Sequence, residues 1–167
     1  MILRATSKLL KLSKAEQTKD LYVVKEPLPG EWFANTLKTG HSGKTYLLFF
    51  HKHTKISFVF ATKSIKLASE EFPSRLKAFL NRNGFDELFD KFEVDTELQV
   101  MNTNCASTLA YMTNLAYNYS WHLSGMDLSK PLNNLFFENI AIEYLFKSPD
   151  PKKKYESVLD LLKIIKI

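Results

Sequence analysis

The sequence predicts an α+β fold: an antiparallel sheet, a meander of about four to six strands, with three or so helices packed on it. Three observations carry this. Trp32 to Ile65 reads as three successive strands, WFANTLKT, KTYLLFFH and KISFVFATKSI. Two short polar breaks separate them, and strands joined that closely pair antiparallel. Beyond Ile65 the apolar residues recur mainly at helical spacing.

The middle strand is apolar on both faces. Tyr46, Leu48 and Phe50 alternate with Leu47 and Phe49, so cover is expected on both sides of the sheet. The break before it, Gly40 to Gly43, supplies two glycines for positive φ. The break after it is Thr54-Lys55, of hairpin length. In the third strand Ile56, Phe58 and Phe60 share one face opposite Val59 and small residues, which predicts half burial.

Upstream, Ile2 to Ala5 fits a short strand, and Thr6 or Ser7 caps a helix through Leu12. Leu9, Leu10 and Leu12 form the apolar side of that helix, with Lys8, Lys11 and Lys14 outside. Residues 13–30 are polar and end in PLPG, a loop in which Leu21 to Val24 could form a short strand.

Downstream, a helix is predicted from Ser69, with Glu70 and Glu71 in its first turn and Pro73 early enough to be tolerated. Phe72, Leu76, Phe79 and Leu80 give its buried stripe, and Asn83-Gly84 its stop. Residues 85–97 include six acidic side chains and suggest a short helix at Leu88, Phe89 and Phe92. A long helix is predicted from Cys105 to Leu123, capped by Asn104 and ended by Gly125. Its stripe is Leu109, Met112, Leu115, Ala116, Tyr119 and Leu123. Residues 127–137 are polar at first, with a short helical turn near Pro131. Asn139 to Phe146 reads as a further strand. Asp150-Pro151 reads as the cap and first turn of a last helix, whose inner face is Tyr155, Val158, Leu159, Leu162 and Ile165.

A chain of 167 residues fits one domain over residues 1–167. Hydrophobic content of 45% with 13 Phe and 7 Tyr is that of a packed protein rather than a disordered one. One cysteine excludes an internal disulfide and fits a reducing compartment. No apolar run reaches the roughly 18–20 residues of a membrane span, and MILRATSKLLKL sets charges where a signal peptide is apolar. The expectation is a cytoplasmic protein of bacterial or viral history, with no membrane partner.

Charge is uneven. Residues 1–63 hold 11 Lys/Arg against 4 Asp/Glu, net +7, and residues 64–167 hold 12 against 14, net −2; the two sum to the overall +5. The basic half is compatible with nucleic acid or another polyanion. A solvated lysine face is the plainer reading, since only Arg4 in that half offers a planar fork.

Two segments resemble a family of small bacterial and phage proteins known only as a domain of unknown function. The first is M-I-L-R-A-T-S-K-L-L, Met1 to Leu10, followed at a distance by W-F-A-N, Trp32 to Asn35. The second is T-N-C-A-S-T-L-A-Y-M-T-N-L, Thr103 to Leu115. It is similar to the family's N-R-S-V-L-G-S-M-N-D-L in its Asn, central Leu, Met and final Leu. Cys105 stands where arginine is usual, Ala110 where glycine is, and Thr113-Asn114 where Asn-Asp is. The resemblance implies no activity, and no role resting on that arginine transfers.

No motif for catalysis, metal or cofactor stands out. His51 and His53 form a pair near a strand end without a third ligand, and read as a solvated hairpin tip. Cys105, near a helix start, has the position of an activated thiol. His122, 17 residues along the same helix, lies roughly 25 Å away, so any base must come from elsewhere; an ordinary, partly buried thiol is the expected outcome. Asp86, Glu87, Asp90, Glu93, Asp95 and Glu97 lack the pattern of a calcium loop and read as a solvated segment. Trp32, Tyr111, Tyr117 and Trp121 have rings that can stack on bases; core placement is the expectation for them.

The sequence therefore points first to a non-enzymatic binding or interaction module. The alternatives are a nucleic-acid-binding protein using the basic half, and an enzyme whose residues converge only in the fold. Partners compatible with it are a protein, a second copy of the chain, or nucleic acid. The candidate binding residues are Arg4, Lys8, Trp32, Asn35, Asn102 and Asn104, gathered around the first strand and the start of the long helix.

Overall fold

The computed structural model describes residues 1–18, 30–103, 105–148 and 150–166. Its main sheet has five strands, β1 (Ile2–Ala5), β2 (Glu31–Lys38), β3 (Thr45–His51), β4 (Ser57–Phe60) and β5 (Gln99–Asn102), in the order β4-β3-β2-β1-β5. Helix α1 (Ser7–Ser13) follows β1. Helix α2 (Ile65–Arg82) and a 3-10 helix, Asp86–Phe92, follow β4. Helix α3 (Ala106–Ser124) follows β5. Helix α4 (Asn134–Glu143), the strand pair β6 (Phe146–Lys147) and β7 (Tyr155–Glu156), and α5 (Val158–Lys166) complete the chain.

The fold is α+β, but the sheet is mixed, which corrects the purely antiparallel meander. β2, β3 and β4 are antiparallel as expected, with Ala34 opposite Phe49 and Phe49 opposite Phe58. β1 is parallel to both of its neighbours: Ala5 lies beside Ala34 of β2 and beside Asn102 of β5. Residues 6–30 separate β1 from β2, enough for the crossover that a parallel pair needs. Its place between two strands leaves Leu3 and Ala5 fully buried.

β3 is buried on both faces, Leu48 and Phe49 alike. Phe49, Phe58 and Phe60 pack against Phe72 of α2, and Phe72 also meets Trp32 edge-on at 4.6 Å between ring centroids. On the other face Tyr119 of α3 is hydrogen-bonded to Ser57 of β4 at 2.8 Å. Gly40 and Gly43 adopt φ of 78° and 74°, as the turn requires.

Several elements differ from expectation. β4 is buried on both faces rather than one, because α4 packs on it and Arg75 Nη1 donates to the Val59 carbonyl at 2.7 Å. α2 begins at Ile65, capped by the Ser64 hydroxyl, so Pro73 lies inside the helix; there it removes one N–H from the ladder. Residues 134–143 are α4, capped by the Asn133 side chain, where a strand through Phe146 was expected. Asp150-Pro151 forms a turn; the last helix starts at Val158, preceded by reciprocal bonds between Ser157 and Asp160, as in a capping box. Thr6 does cap α1, but Leu12 is exposed. The expected short strand at Leu21 to Val24 lies outside the described residues.

Candidate functional site

β1 stops at Ala5, opposite Ala34, whereas β2 runs on to Lys38. The last four residues of β2 therefore extend past their parallel neighbour. The Thr6 N–H closes the β1 side at Ala34 O, 3.1 Å. Two residues on, the Thr36 N–H faces the same side and takes the Asn35 Oδ1 at 2.8 Å. Beyond this point a cleft of about 580 Å³ opens between α1, β2 and α3. Lys8 stands on one wall, Asn35, Thr36 and Lys38 on the sheet side, and Thr113, Tyr117 and Ser120 on α3.

Tyr117 and Trp121 are 80% and 70% exposed, which corrects the expectation that they join the core. The reason is helical phase. The buried residues of α3 are Thr108, Met112, Leu115, Tyr119 and Leu123. Tyr117, two residues from both Leu115 and Tyr119, points about 200° away from either. Trp121, one turn further, continues the same outer face and touches His122 edge-on at 4.9 Å. Trp32 and Tyr111 are elsewhere. Trp32 is fully buried among His51, Phe72 and Phe92, and Tyr111 stacks under the Lys55 ammonium at 4.3 Å.

The sequence-derived residues have different fates. Lys8 and Asn35 line the cleft. Arg4 and Asn102 lie beside it but are engaged: Arg4, 3% exposed, donates to the Glu31 carboxylate and, through Nη1, to the Asn102 carbonyl at 3.2 Å. The Asn102 side chain accepts from Ser7 Oγ at 3.2 Å and from the Thr103 N–H at 3.0 Å. Thr6 Oγ1 donates to Asn35 Oδ1 at 3.1 Å. These bonds tie the ends of β1, β2 and β5 together and fix one end of the cleft. Trp32 belongs to the core, and Asn104 lies outside the described residues. Lys38, Thr113 and Ser120 were missed, and Tyr117, weighed as a base-stacking ring, was assigned to the core. For Tyr117 the phase of Leu115 and Tyr119 was the available signal.

The chemistry weighed from sequence takes a different shape here. Cys105 occupies the N-cap position of α3. Burial acts most strongly on its thiol, upward. Hydrogen bonds with Ser107 and Thr108 and the charge of Lys52 together outweigh it and hold the thiol below its ordinary value. His51 is not on a solvated tip: it is buried, its Nδ1 2.8 Å from Thr54 Oγ1. The six acidic residues of 86–97 are exposed. Among the described residues, no three His, Cys, Asp or Glu side chains are grouped to hold a metal, and no helix is long and apolar enough to cross a membrane.

A family model, Domain of unknown function (DUF6933), matches residues 2–154. Comparison with curated proteins and with solved structures finds no match. The chain belongs to the DUF6933 family.

Proposed function

We propose that the chain is a non-enzymatic binding module, and that its ligand is single-stranded nucleic acid held in the cleft between α1, β2 and α3. One observation carries the reading: Tyr117 and Trp121 stand one helical turn apart, exposed, beside a cleft whose other walls present Lys8 and Lys38. Large exposed aromatics beside ammonium groups suit a flexible polyanion with flat rings, since bases stack on the rings while lysines meet phosphates. The position also agrees with the tendency of open sheets to bind ligands at the carboxyl ends of parallel strands. Here those are the ends of β1 and β5.

The test is a titration with a mixed-sequence single-stranded oligonucleotide, followed through tryptophan fluorescence. Trp32 is sealed in the core, so the quench must come from Trp121 and vanish in Trp121→Phe. Affinity should fall as salt rises, and Lys8→Gln and Lys38→Gln should each flatten the log–log slope by about 0.7. No binding at low salt would overturn the reading. Binding that ignores salt, Tyr117 and Trp121 would do so too. An acidic peptide that binds the cleft in place of the oligonucleotide would reassign it to a protein partner. Self-association abolished by Tyr117→Ala would reassign it to a second copy.

A further inference from the structure

Asn35 is equipped to choose among bases in the cleft between α1, β2 and α3, a role that rests on the nucleic-acid reading of that cleft. Its side chain faces α3. Residues directly opposite in antiparallel strands share a face of the sheet. Asn35 lies opposite Leu48. Leu48 and Phe50 point away from Phe49, which packs on Phe72 of α2. Phe50 lies opposite Ser57, and Ser57 is bonded to Tyr119 of α3. Asn35 therefore points to the α3 side of the sheet, where it lines the cleft together with Tyr117.

The orientation of its amide is fixed. The Thr36 N–H donates to it at 2.8 Å, and only the amide oxygen can accept that bond. Thr6 Oγ1 takes the Leu9 N–H at 3.4 Å and turns its own proton to the same Asn35 Oδ1 at 3.1 Å. A carbonyl oxygen has two lone pairs, so both are taken. Nδ2 has no bond among the described residues and is not closed to solvent. Asn35 thus meets the cleft with N–H donors and no acceptor.

An asparagine that reads adenine uses both ends of its amide, the oxygen accepting from N6 and the nitrogen donating to N7. Here the oxygen is spent. Guanine presents two acceptors, O6 and N7, on the same edge. Adenine carries an amino group in place of O6, which sets donor against donor. We infer that Asn35 makes the cleft select guanine over adenine, Nδ2 donating to the O6/N7 edge of a base stacked on the aromatic wall.

The experiment is a competition at low salt on the full chain, read by anisotropy. A labelled mixed-sequence oligonucleotide is displaced by short unlabelled strands that carry one central base among abasic sites. That base is guanine, hypoxanthine, 7-deazaguanine or adenine. All four stack as purines, and hypoxanthine keeps O6 and N7 without the 2-amino group. Guanine and hypoxanthine should compete alike, and at least about fivefold better than adenine. The 7-deazaguanine strand, lacking the N7 acceptor, should fall between. Asn35→Asp keeps an oxygen for Thr6 and Thr36 and replaces the donors with a second oxygen. Its added charge should weaken every strand, and the guanine preference should vanish or reverse. Circular dichroism checks folding. Should the variant not fold, the Asn35 side-chain amide resonances of the wild type still read the contact, shifting with the guanine strand and not with the adenine strand. Equal competition by guanine and adenine would overturn the inference, and so would a guanine preference unchanged in Asn35→Asp. If the mixed-sequence oligonucleotide binds and the purines are not told apart, the inference fails alone. If that oligonucleotide does not bind, the reading of the cleft fails and the inference with it.

Discussion

Two tyrosines, two residues apart on α3, should respond to truncation in opposite ways. Tyr119 is fully buried. Its hydroxyl is 2.8 Å from Ser57 Oγ and donates to the Phe137 carbonyl at 3.4 Å, and its ring meets Phe137 edge-on at 5.5 Å. Tyr119→Ala removes a whole aromatic from a closed site, for which about 3–5 kcal/mol is the usual cost. Tyr119→Phe keeps the ring but strips a partner from a buried serine, about 1–2 kcal/mol. Tyr117 is 80% exposed, so Tyr117→Ala should move stability by no more than about 0.5 kcal/mol. Binding reverses the order. A stacked base is worth about 1–3 kcal/mol, so Tyr117→Ala should weaken oligonucleotide affinity by about 5- to 150-fold, whereas Tyr119→Phe should leave it nearly unchanged. Urea unfolding followed by circular dichroism gives the first quantity, provided the slope stays constant across variants. Fluorescence anisotropy of a labelled strand gives the second. If Tyr117→Ala costs as much stability as Tyr119→Ala, Tyr117 is a core residue and the phase argument is wrong. If it costs neither stability nor affinity, the exposed ring is not a platform.

Glu138 is buried between two arginines: Arg75 Nη2 donates to it at 2.9 Å, and Arg82 approaches its second oxygen. Glu138→Ala leaves the buried Arg75 with the half-exposed Glu71, 3.6 Å away, as its carboxylate among the described residues, and should cost about 3–5 kcal/mol; Arg82→Ala, at a side chain 42% exposed, should cost under about 1 kcal/mol in the same unfolding assay. Lys55 predicts a pH dependence. Burial, reinforced by Lys52, holds its folded pKa at about 8 against an ordinary 10.5, so the unfolded chain binds more protons between those values and stability rises with pH across that window. The contribution is complete above pH 10.5 and lost as pH falls through 8. With solvent screening of this half-buried group, the rise should be about 1–2 kcal/mol. Urea midpoints measured through the window should show it, and Lys55→Met should flatten it.

The meander was legible because its information is local. Alternation in KTYLLFFH, glycines at 40 and 43, and a two-residue break fix three strands without reference to the rest of the chain. β1 and β5 are four residues each, and nothing in ILRA or QVMN states which strand lies beside it. Their parallel pairing is a tertiary fact, hence the error over sheet type. α4 was misread because Ile140 and Ile142 stand two apart, with Asn139 and Glu143 outside them, as in a strand, while the decisive signal was the Asn133 side chain accepting from the Phe136 N–H at 3.1 Å. Lys8 and Asn35 were legible as site residues because they flank the end of a predicted strand. Arg4 looked equally available, yet its partner Glu31 lies 27 residues along, beyond any local pattern.

The mixed sheet and the candidate cleft have one origin. Were β1 an edge strand, its end would be a sheet corner open to solvent. Placed between β2 and β5, the four-residue β1 is an interior strand, and the chain leaves the layer at Thr6 while β2 continues for four more residues. That step leaves a gap in the ladder which no strand among the described residues fills. α1 begins on one side of the gap and brings Lys8; α3, launched from the end of β5, crosses the other side and brings Tyr117. Side-chain bonds from Thr6 to Asn35 and from Ser7 to Asn102 tie the step in place. A site built this way is preorganised. Its specificity then rests on the few residues that face the gap, among them Lys8, Lys38 and Tyr117, which can change without disturbing Arg4, Glu31 or the aromatic core beneath.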